Sequence, residues 1–183
     1  GLQIFDLTKL DNDLIIFDRS DYRFFSGGFC GKYFAFAANG SAESLFGLVD
    51  TEAAEYSGGH SSPDPFLLTA EEAGIYLANG NLLVSFDPAT LKETELAYAE
   101  DAKITGFSVG KDYVLLGTDG PGFSFYDRGA NRMSSEACKE NCDFLRISGK
   151  YALLGNRNEP SVRMMKLENH EEALLLSYDA RYS

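Results

Sequence analysis

A unit of about forty residues recurs along this chain, and this repeat restricts the possible folds more than any other feature of the sequence. Each unit opens with a turn that leads into a short apolar strand, and a tyrosine marks the start of that strand. The marker tyrosines are Tyr33, Tyr76, Tyr113 and Tyr151. Since one such unit is too small to bury its own apolar side chains, the units are expected to pack against one another.

A second apolar strand follows in each unit and usually ends in an aspartate. The aspartates are Asp6, Asp50, Asp87 and Asp127, and Lys166 takes their place in the last unit. An aspartate at a strand end can accept a hydrogen bond from the backbone two residues later and so begin a turn. A short strand precedes each pair and a more polar one follows it. Each unit therefore predicts four antiparallel strands, A to D.

We predict a single domain, 1–183, made of one half-unit and four full units. The predicted boundaries are 1–22, 23–62, 63–101, 102–142 and 143–183. The B strands 33–38, 113–116 and 151–154 are apolar on consecutive residues. This pattern indicates strands covered on both faces, and sheets packed radially against two neighbours provide that cover. The sequence thus predicts an all-β fold, a β-propeller of about four to four and a half four-stranded antiparallel blades.

The Gly-Lys-Tyr openings and the Phe-Asp or Tyr-Asp strand ends give the chain a resemblance to the β-propeller repeat families. In this respect it resembles WD40-like, YVTN-like and PQQ-like blades over nearly its whole length. The Trp-Asp and Gly-His signatures are absent, and the chain has no Trp at all. The resemblance therefore implies an architecture and transfers no cofactor or partner, and we expect no cofactor.

The first half-unit would begin at a C strand, so its A and B partners are missing. Three arrangements stay open: a segment of a larger propeller, two chains that complete each other as a homodimer, or a closed four-bladed ring with an accessory hairpin. The first arrangement is favoured. An incomplete ring would leave an apolar blade face exposed, and such a face usually pairs with another surface. The start at Gly1 without methionine also predicts a trimmed or tagged N-terminus.

The acidic composition excludes some partners. Sixteen Lys and Arg stand against 28 Asp and Glu, a net charge of −12, so nucleic acid and anionic lipid are poor partners. No apolar run is long enough for a membrane helix, and no membrane insertion is expected. Cys30, Cys138 and Cys142 form neither a disulfide framework nor a zinc set, although a local Cys138–Cys142 disulfide and two free thiols both stay open. The compartment is not determined, with an extracytoplasmic location favoured over a cytoplasmic one.

Polar residues in the B–C corners and D–A connections would gather on one face of a propeller, where loops commonly carry function. The predicted binding residues there are His60, Asp64, Asn79, Asp119, Asp143, Asn156 and Arg157, with Asn39 and Asp101 in similar positions. His60 is the most suggestive, because it lies in a Gly-, Ser- and Pro-rich connection four residues before Asp64. Catalytic triads are built from separated segments, so we assign no catalytic residue. Zinc needs four ligands and no Cys or His near Cys138 and Cys142 completes the set, so we assign no metal ligand.

The leading hypothesis is a non-enzymatic binding or scaffold module that presents these polar loops to a protein or polysaccharide partner. The alternative is a propeller hydrolase or lyase of the glycosidase or lactonase type with a polar channel-face site. A third interpretation is a purely structural repeat segment of a larger surface protein. The fold alone does not decide among them.

Overall fold

The computed structural model describes most of the chain. The described residues are 2–5, 13–17, 21–130, 132–136, 142, 144–155, 161–169 and 171–177. Every regular element among them is a β-strand. No helix in this part of the chain is long and apolar enough to cross a membrane. The chain consists of two compact units, Gly1–Leu96 and Ala97–Ser183.

Unit Gly1–Leu96 begins with a two-stranded hairpin, β1 (Leu2–Phe5) and β2 (Asp13–Phe17). Sheet 1 follows, with β3 (Arg23–Cys30), β4 (Tyr33–Asn39), β5 (Ser44–Asp50) and β6 (Glu55–Ser62). Sheet 2 consists of β7 (Phe66–Glu71), β8 (Gly74–Asn79), β9 (Leu82–Asp87) and β10 (Lys92–Tyr98), the last of which runs across the unit boundary.

Unit Ala97–Ser183 contains two further sheets. Sheet 3 consists of β11 (Ile104–Val109), β12 (Tyr113–Thr118), β13 (Phe123–Asp127) and β14 (Arg132–Glu136). Sheet 4 consists of β15 (Phe144–Ser148), β16 (Tyr151–Gly155), β17 (Ser161–Lys166) and β18 (Glu172–Ser177). In all four sheets the strands lie side by side in chain order, as expected for units of four antiparallel strands.

The strand register shows which positions of the repeat correspond. Tyr33 pairs with Asp50, Tyr113 with Asp127 and Tyr151 with Lys166. The fourth marker, Tyr76, pairs instead with Ser85 and lies two residues further into its strand. The pairing across the B and C strands, and not the tyrosine itself, therefore defines the repeat.

Each unit has its own apolar core, formed where the sheets within it pack. In unit Gly1–Leu96, Ala35 and Leu48 of sheet 1 pack with Leu77 and Val84 of sheet 2. Glycine allows the close approach, because a Cβ at Gly28 would meet the backbone of Ala70. Every second residue of a strand contributes its side chain to these contacts, as the two-residue period of a β-strand requires.

In unit Ala97–Ser183 the core joins sheet 3 to sheet 4 through Leu115, Phe125, Leu145 and Leu154. Here too a glycine is required, because a Cβ at Gly117 would collide with the carbonyl oxygen of Cys142. Small residues at the sheet contacts let consecutive sheets pack closely.

The B strands differ in how completely they are covered. Four consecutive residues are buried in β4 and again in β12, which confirms the expectation of cover on both faces for sheets 1 and 3. In β16, buried residues alternate with partly exposed ones, and Tyr151 and Leu153 lie on the partly exposed face. For 151–154 the expectation of cover on both faces was therefore wrong. Consecutive apolar residues allow a strand to be buried on both faces, but each face is buried only where another sheet packs over it.

Candidate functional site

The two ends of every sheet carry different connections. The A–B and C–D turns lie at one end, called here the turn end, and the B–C and D–A connections lie at the other, called the corner end. Short side-chain and backbone hydrogen bonds stabilise both ends. They determine which polar groups are left to contact a ligand.

The strand-end aspartates begin the C–D turns as predicted. Asp50 Oδ1 accepts from the amide of Glu52 at 3.0 Å, and Asp87 Oδ1 accepts from the amide of Ala89 at 2.9 Å. Asp127 Oδ1 accepts from the amides of Gly129 and Ala130, both at 2.9 Å. For Asp87, the Thr90 hydroxyl is the main cause of a lowered pKa, followed by the Ala89 amide. These carboxylates are thus built into the turns.

In sheet 1 the strand-end aspartate also binds the lysine of the A–B turn. Lys32 Nζ lies 2.7 Å from Asp50 Oδ2 and also above the Tyr33 ring, 5.1 Å from its centroid. The hydrogen bond with Lys32 is the largest cause of the lowered pKa of Asp50, and the Ala53 amide adds to it. The same hydrogen bond raises the pKa of Lys32. In sheet 1, therefore, the lysine of the opening turn is a structural residue.

A second set of bonds joins the C–D turn to the A–B turn. The amide after the strand end donates to a carbonyl of the opening turn in three sheets: Thr51 to Lys32 at 3.0 Å, Arg128 to Asp112 at 3.0 Å, and Leu167 to Lys150 at 2.9 Å. The turn ends are thus held together by backbone bonds. Side chains on them project from a fixed scaffold, which suits a binding surface.

A cleft of about 230 Å³ opens at the turn ends of sheets 3 and 4, within unit Ala97–Ser183; we call it the turn cleft. Its apolar lining comes from Tyr113, Ile147 and Leu167. Its charged lining comes from Lys111 and Asp112 on one A–B turn, Lys150 on the next, and Glu168 on a C–D turn. The turn cleft combines an apolar surface with charges of both signs.

Lys150 occupies in sheet 4 the place that Lys32 has in sheet 1, but it lacks the acidic partner. The strand end opposite Tyr151 is Lys166, which itself lies 3.7 Å from Glu171. The Lys150 ammonium lies above the Tyr151 ring, 5.5 Å from the centroid. Neither Lys111 nor Lys150 forms an ion pair with any residue that the structure describes. The turn cleft therefore presents two ammonium groups to an incoming ligand.

At the corner end, the predicted residue His60 lies in strand β6 and not in a connection. It pairs with Phe46, its ring packs edge-on against Phe66 at 5.0 Å, and its Nε2 lies 3.4 Å from Glu93 Oε1. A Cβ at Gly59 would collide with the Phe46 carbonyl oxygen, so the glycines next to His60 permit close strand pairing. A glycine-rich composition predicts a loop and close strand pairing equally well, because composition does not distinguish close approach from flexibility.

Asp64 and Asn79 meet at the corner end of sheet 2. The Asn79 amide donates to the Asp64 carbonyl oxygen at 2.8 Å, and Asn79 Oδ1 accepts from the Ser62 hydroxyl at 2.9 Å. The Ser62 hydroxyl also accepts from the Asp64 amide at 3.1 Å. Asn79 thus connects the end of its B strand to the D–A connection. Its side chain performs a structural task, and the proposed binding role stays a prediction.

Asp119 performs a similar task in the other unit. Its Oδ1 accepts from the amide of Lys103 at 2.9 Å, and its own amide donates to the Lys103 carbonyl oxygen at 2.9 Å. Asn39 likewise accepts from the Ser44 hydroxyl at 2.8 Å, whereas Asp101 lies exposed in a turn with a φ of 54°. Of the remaining predicted residues, Asp143, Asn156 and Arg157 lie outside the described residues.

The structure therefore brings Asp64 and Asn79 together, places His60 elsewhere in the same unit and places Asp119 in the other unit. Within the described part of the chain, no group of three His, Cys, Asp or Glu residues comes close enough to hold a metal ion. Cys142 is buried in the core between sheets 3 and 4, Cys30 is partly buried, and Cys138 lies outside the described residues.

Sequence reasoning missed the turn cleft, although one signal pointed to it. The last unit has Lys166 where the other units have aspartate, a departure visible in the sequence. Because the aspartate binds the turn lysine in sheet 1, its replacement removes the partner of Lys150. The significance of that exchange depends on a contact that only the structure reveals.

Comparison with known proteins shows similarity in structure only. The sequence matches no protein-family model and no curated protein. A chain in the crystal structure of the Mitotic Checkpoint Complex is similar with a TM-score of 0.70 at 8% identity, covering 91% of this chain and 56% of its own length. This chain thus spans little more than half of that one.

Two further solved structures are similar. The computationally designed Ika4 protein has a TM-score of 0.68 at 10% identity and covers 85% of this chain and 98% of its own. The WD40 domain of Neurospora crassa Pan2 has a TM-score of 0.62 at 13% identity and covers 85% of this chain and 65% of its own. Taken with the four consecutive antiparallel sheets, these similarities show that the chain has the fold of a partial β-propeller of about four blades, which are sheets 1 to 4.

Proposed function

We propose that this chain is a protein-binding module and that the turn cleft binds an extended peptide segment with an acidic side chain. The observation that carries the proposal is the pair Lys111 and Lys150, which lines a partly apolar cleft without forming ion pairs with described residues. Both ammonium groups line the same cleft in a chain whose net charge is −12.

The chemistry of the lining suits a peptide. Lys111 and Lys150 would donate to a carboxylate, and such charge-assisted hydrogen bonds are about twice as strong as neutral ones. An apolar side chain beside that carboxylate would pack against Tyr113 and Ile147. Asp112 and Glu168 at the same cleft would accept from peptide amides, or from a basic residue in the ligand.

A protein partner fits this lining better than a polysaccharide. The apolar lining of Tyr113, Ile147 and Leu167 suits an apolar side chain of a peptide, and at the corner end the side chain of Asn79 is already bonded within the chain. The similar chain from the Mitotic Checkpoint Complex belongs to a structure of a complex, which also supports a protein partner. A binding role for His60 and Asp64 at the corner end remains part of the proposal as a secondary surface.

Selection from a random peptide library displayed on phage, with the immobilised protein as target, tests the proposal. We expect the enriched peptides to contain Asp or Glu next to a large apolar residue. A labelled enriched peptide is then titrated with the protein and its Lys150→Met variant. Loss of one hydrogen bond to a charged group costs about 1.5 to 3 kcal/mol, so we expect binding to weaken about tenfold or more.

Lys92→Met is the matched control, because it removes the same charge from β10, which contributes no residue to the lining of the turn cleft. It should leave peptide affinity unchanged apart from a small long-range effect. If selection enriches no peptide, or if the enriched peptides bind the Lys150→Met variant as tightly as the unaltered protein, the turn cleft is not a peptide site and the proposal is wrong.

A further inference from the structure

The two faces of each sheet have distinct roles in packing. The forward face is the one whose B-strand residues include the position paired with the C-strand end, such as Tyr113, and every second residue after it. In sheet 3 this face carries Leu115 and packs on sheet 4, whose opposite, rear face carries Ala152 and Leu154. Sheets 1 and 2 pack in the same way, with Ala35 on the forward face of sheet 1. Within each unit, the sheet that follows therefore covers the forward face.

The forward face of sheet 4 is incompletely covered. A row of apolar side chains crosses it from Leu153 through Met164 to Leu174, each paired with the next. Leu174 is 44% exposed, Phe144 on the same face is 46% exposed, and Leu153 and Met164 are partly exposed. In sheet 3, Leu115 occupies the position of Leu153 and is 0% exposed. Sheet 4 therefore presents the kind of apolar surface that sheet 3 buries.

This face is not shaped for a further sheet packed in the same way. The A-strand position opposite Leu153 and its equivalents is Gly28 in sheet 1, Ser108 in sheet 3 and Arg146 in sheet 4. A Cβ at Gly28 would meet the backbone of Ala70, and the Ser108 hydroxyl accepts from the Ile147 amide at 2.9 Å. The next sheet thus approaches closely at this position, where the long Arg146 side chain would hold it away.

The forward face of sheet 4 adjoins the turn cleft. Lys150 lines the turn cleft, and its Nζ lies above the ring of Tyr151, which begins the B strand on the forward face and is partly exposed. Gly149 lines the same cleft, and a Cβ there would meet no atom within 4 Å, so the space over this A–B turn is open. A single ligand segment can therefore pass from the turn cleft over the turn onto the forward face.

The charges on this face suit the acidic segment proposed for the turn cleft. Among the described strand residues of the forward face, the charged ones are Arg146 and Lys166, and both are basic. Each already interacts within the chain, Lys166 with Glu171 at 3.7 Å. In a chain with a net charge of −12, an acidic ligand would thus meet no acidic strand residue on this face.

The size of the face argues against a second copy of the chain as its occupant. Four strands of five or six residues cover about 17 Å by about 19 Å, or about 300 Å² in projection. A stable interface between two proteins buries about 800 Å² on each partner. This area fits one short segment, and a segment that also fills the turn cleft would bury more than the face alone allows.

We propose that the partner segment bound in the turn cleft continues over Tyr151 onto the forward face of sheet 4 as a short amphipathic helix. Leu153, Met164 and Leu174 lie on neighbouring strands, about 4.7 to 4.9 Å apart. Side chains at i and i+3 or i+4 of a helix are about 5 to 6 Å apart, whereas those on one face of an extended strand repeat every ~6.6 Å. The helix matches the row better. This inference rests on the proposed function and extends its ligand.

The test lengthens the short acidic peptide that selection on this protein yields. A phage library displays that peptide with about twelve random residues added at either end, because a helix of that length spans about 18 Å. We expect enriched extensions to carry apolar residues at i, i+3 or i+4, and i+7, and to bind about tenfold tighter or more than the short peptide. Leu174→Glu should abolish this gain but not the binding of the short peptide, because Leu174 does not line the turn cleft. Lys150→Met should weaken both peptides.

Tyr98→Glu is the control, since Tyr98 is 49% exposed and lies on the edge strand of sheet 2, so this variant should keep the gain. Circular dichroism checks the fold of each variant, and Leu174→Ser replaces Leu174→Glu if the glutamate variant loses its β spectrum. Light scattering behind a sizing column gives the mass of the unaltered protein, which we expect to be 20.1 kDa.

The outcomes separate this inference from the proposed function. If the short peptide binds through Lys150 but no extension adds affinity, or if the gain survives in the Leu174 variant or is lost in Tyr98→Glu, the inference is wrong and the proposed function stands. If no short peptide binds, or if its binding does not depend on Lys150, both are wrong. A mass above 20.1 kDa that the Leu174 variant restores to 20.1 kDa would mean that a second copy covers the face, which also overturns the inference.

Discussion

Replacing Leu115 by alanine should destabilise the protein far more than the same change at Leu153. Both leucines stand two residues after the tyrosine that opens a B strand, in β12 and β16. Leu115 is 0% exposed in the core between sheets 3 and 4. The change removes the equivalent of about three methylene groups at ~0.8 kcal/mol each, or about 2.4 kcal/mol. A cavity penalty brings the expected loss to about 3 to 4 kcal/mol.

At Leu153 the expected loss is about 1 to 2 kcal/mol, because the side chain is already partly in water and its removal encloses no cavity. Urea unfolding followed by circular dichroism measures both variants, at a protein concentration where the chain is a monomer. The slope of the unfolding free energy against urea should stay the same, so that the midpoints can be compared. Equal losses at the two sites would refute the reasoning, because they would mean that the forward face of sheet 4 is covered as completely as that of sheet 3.

Two further predictions concern the sheet contact and the turns. Gly117→Ala should cost about 1 to 3 kcal/mol or more in the same urea assay, because its methyl group would overlap the Cys142 carbonyl oxygen and force the backbone apart. Asp50→Asn should destabilise the protein at neutral pH and lose this effect in acid. The lowered pKa of Asp50 means that its ionised form stabilises the fold above the ordinary value of 3.8, and the contribution disappears as the pH falls through the lower folded-state pKa. Unfolding free energies measured from neutral pH into this acid range test the second prediction.

Each of these predictions has a control in sheet 3. A Cβ at Gly120 would meet only the Thr118 hydroxyl at 3.6 Å, so Gly120→Ala should change stability by less than about 1 kcal/mol. Asp127→Asn keeps an oxygen that can accept the turn amides, and among the described residues Asp127 has no lysine partner like Lys32, so this change should cost less stability at neutral pH than Asp50→Asn. The reasoning fails if Gly117→Ala is as harmless as Gly120→Ala, or if the Asp50→Asn difference persists unchanged in strong acid.

The repeat could be recognised from the sequence because its signals are local. A turn glycine, an apolar run and a strand-end aspartate act within a few residues of one another, and Asp50, Asp87 and Asp127 bond their turns as their chemistry predicts. The order of the strands follows from the short connections, which allow only neighbouring antiparallel strands. His60 shows where this reasoning failed, because its glycine neighbours serve close strand pairing instead of a loop.

The sequence by itself thus determined the all-β repeat architecture and the turn chemistry, since both depend on contacts between residues close along the chain. The tertiary structure alone decided which lysines are engaged and which sheet faces are open. Lys32 meets Asp50 across two turns, while in sheet 4 Lys166 stands in the place of that aspartate and Lys150 remains available at the turn cleft. Leu115 and Leu153 look alike in sequence, yet only Leu115 has a sheet packed completely over it. Burial and pairing are properties of neighbours distant in sequence, so they appear only when the sheets are assembled.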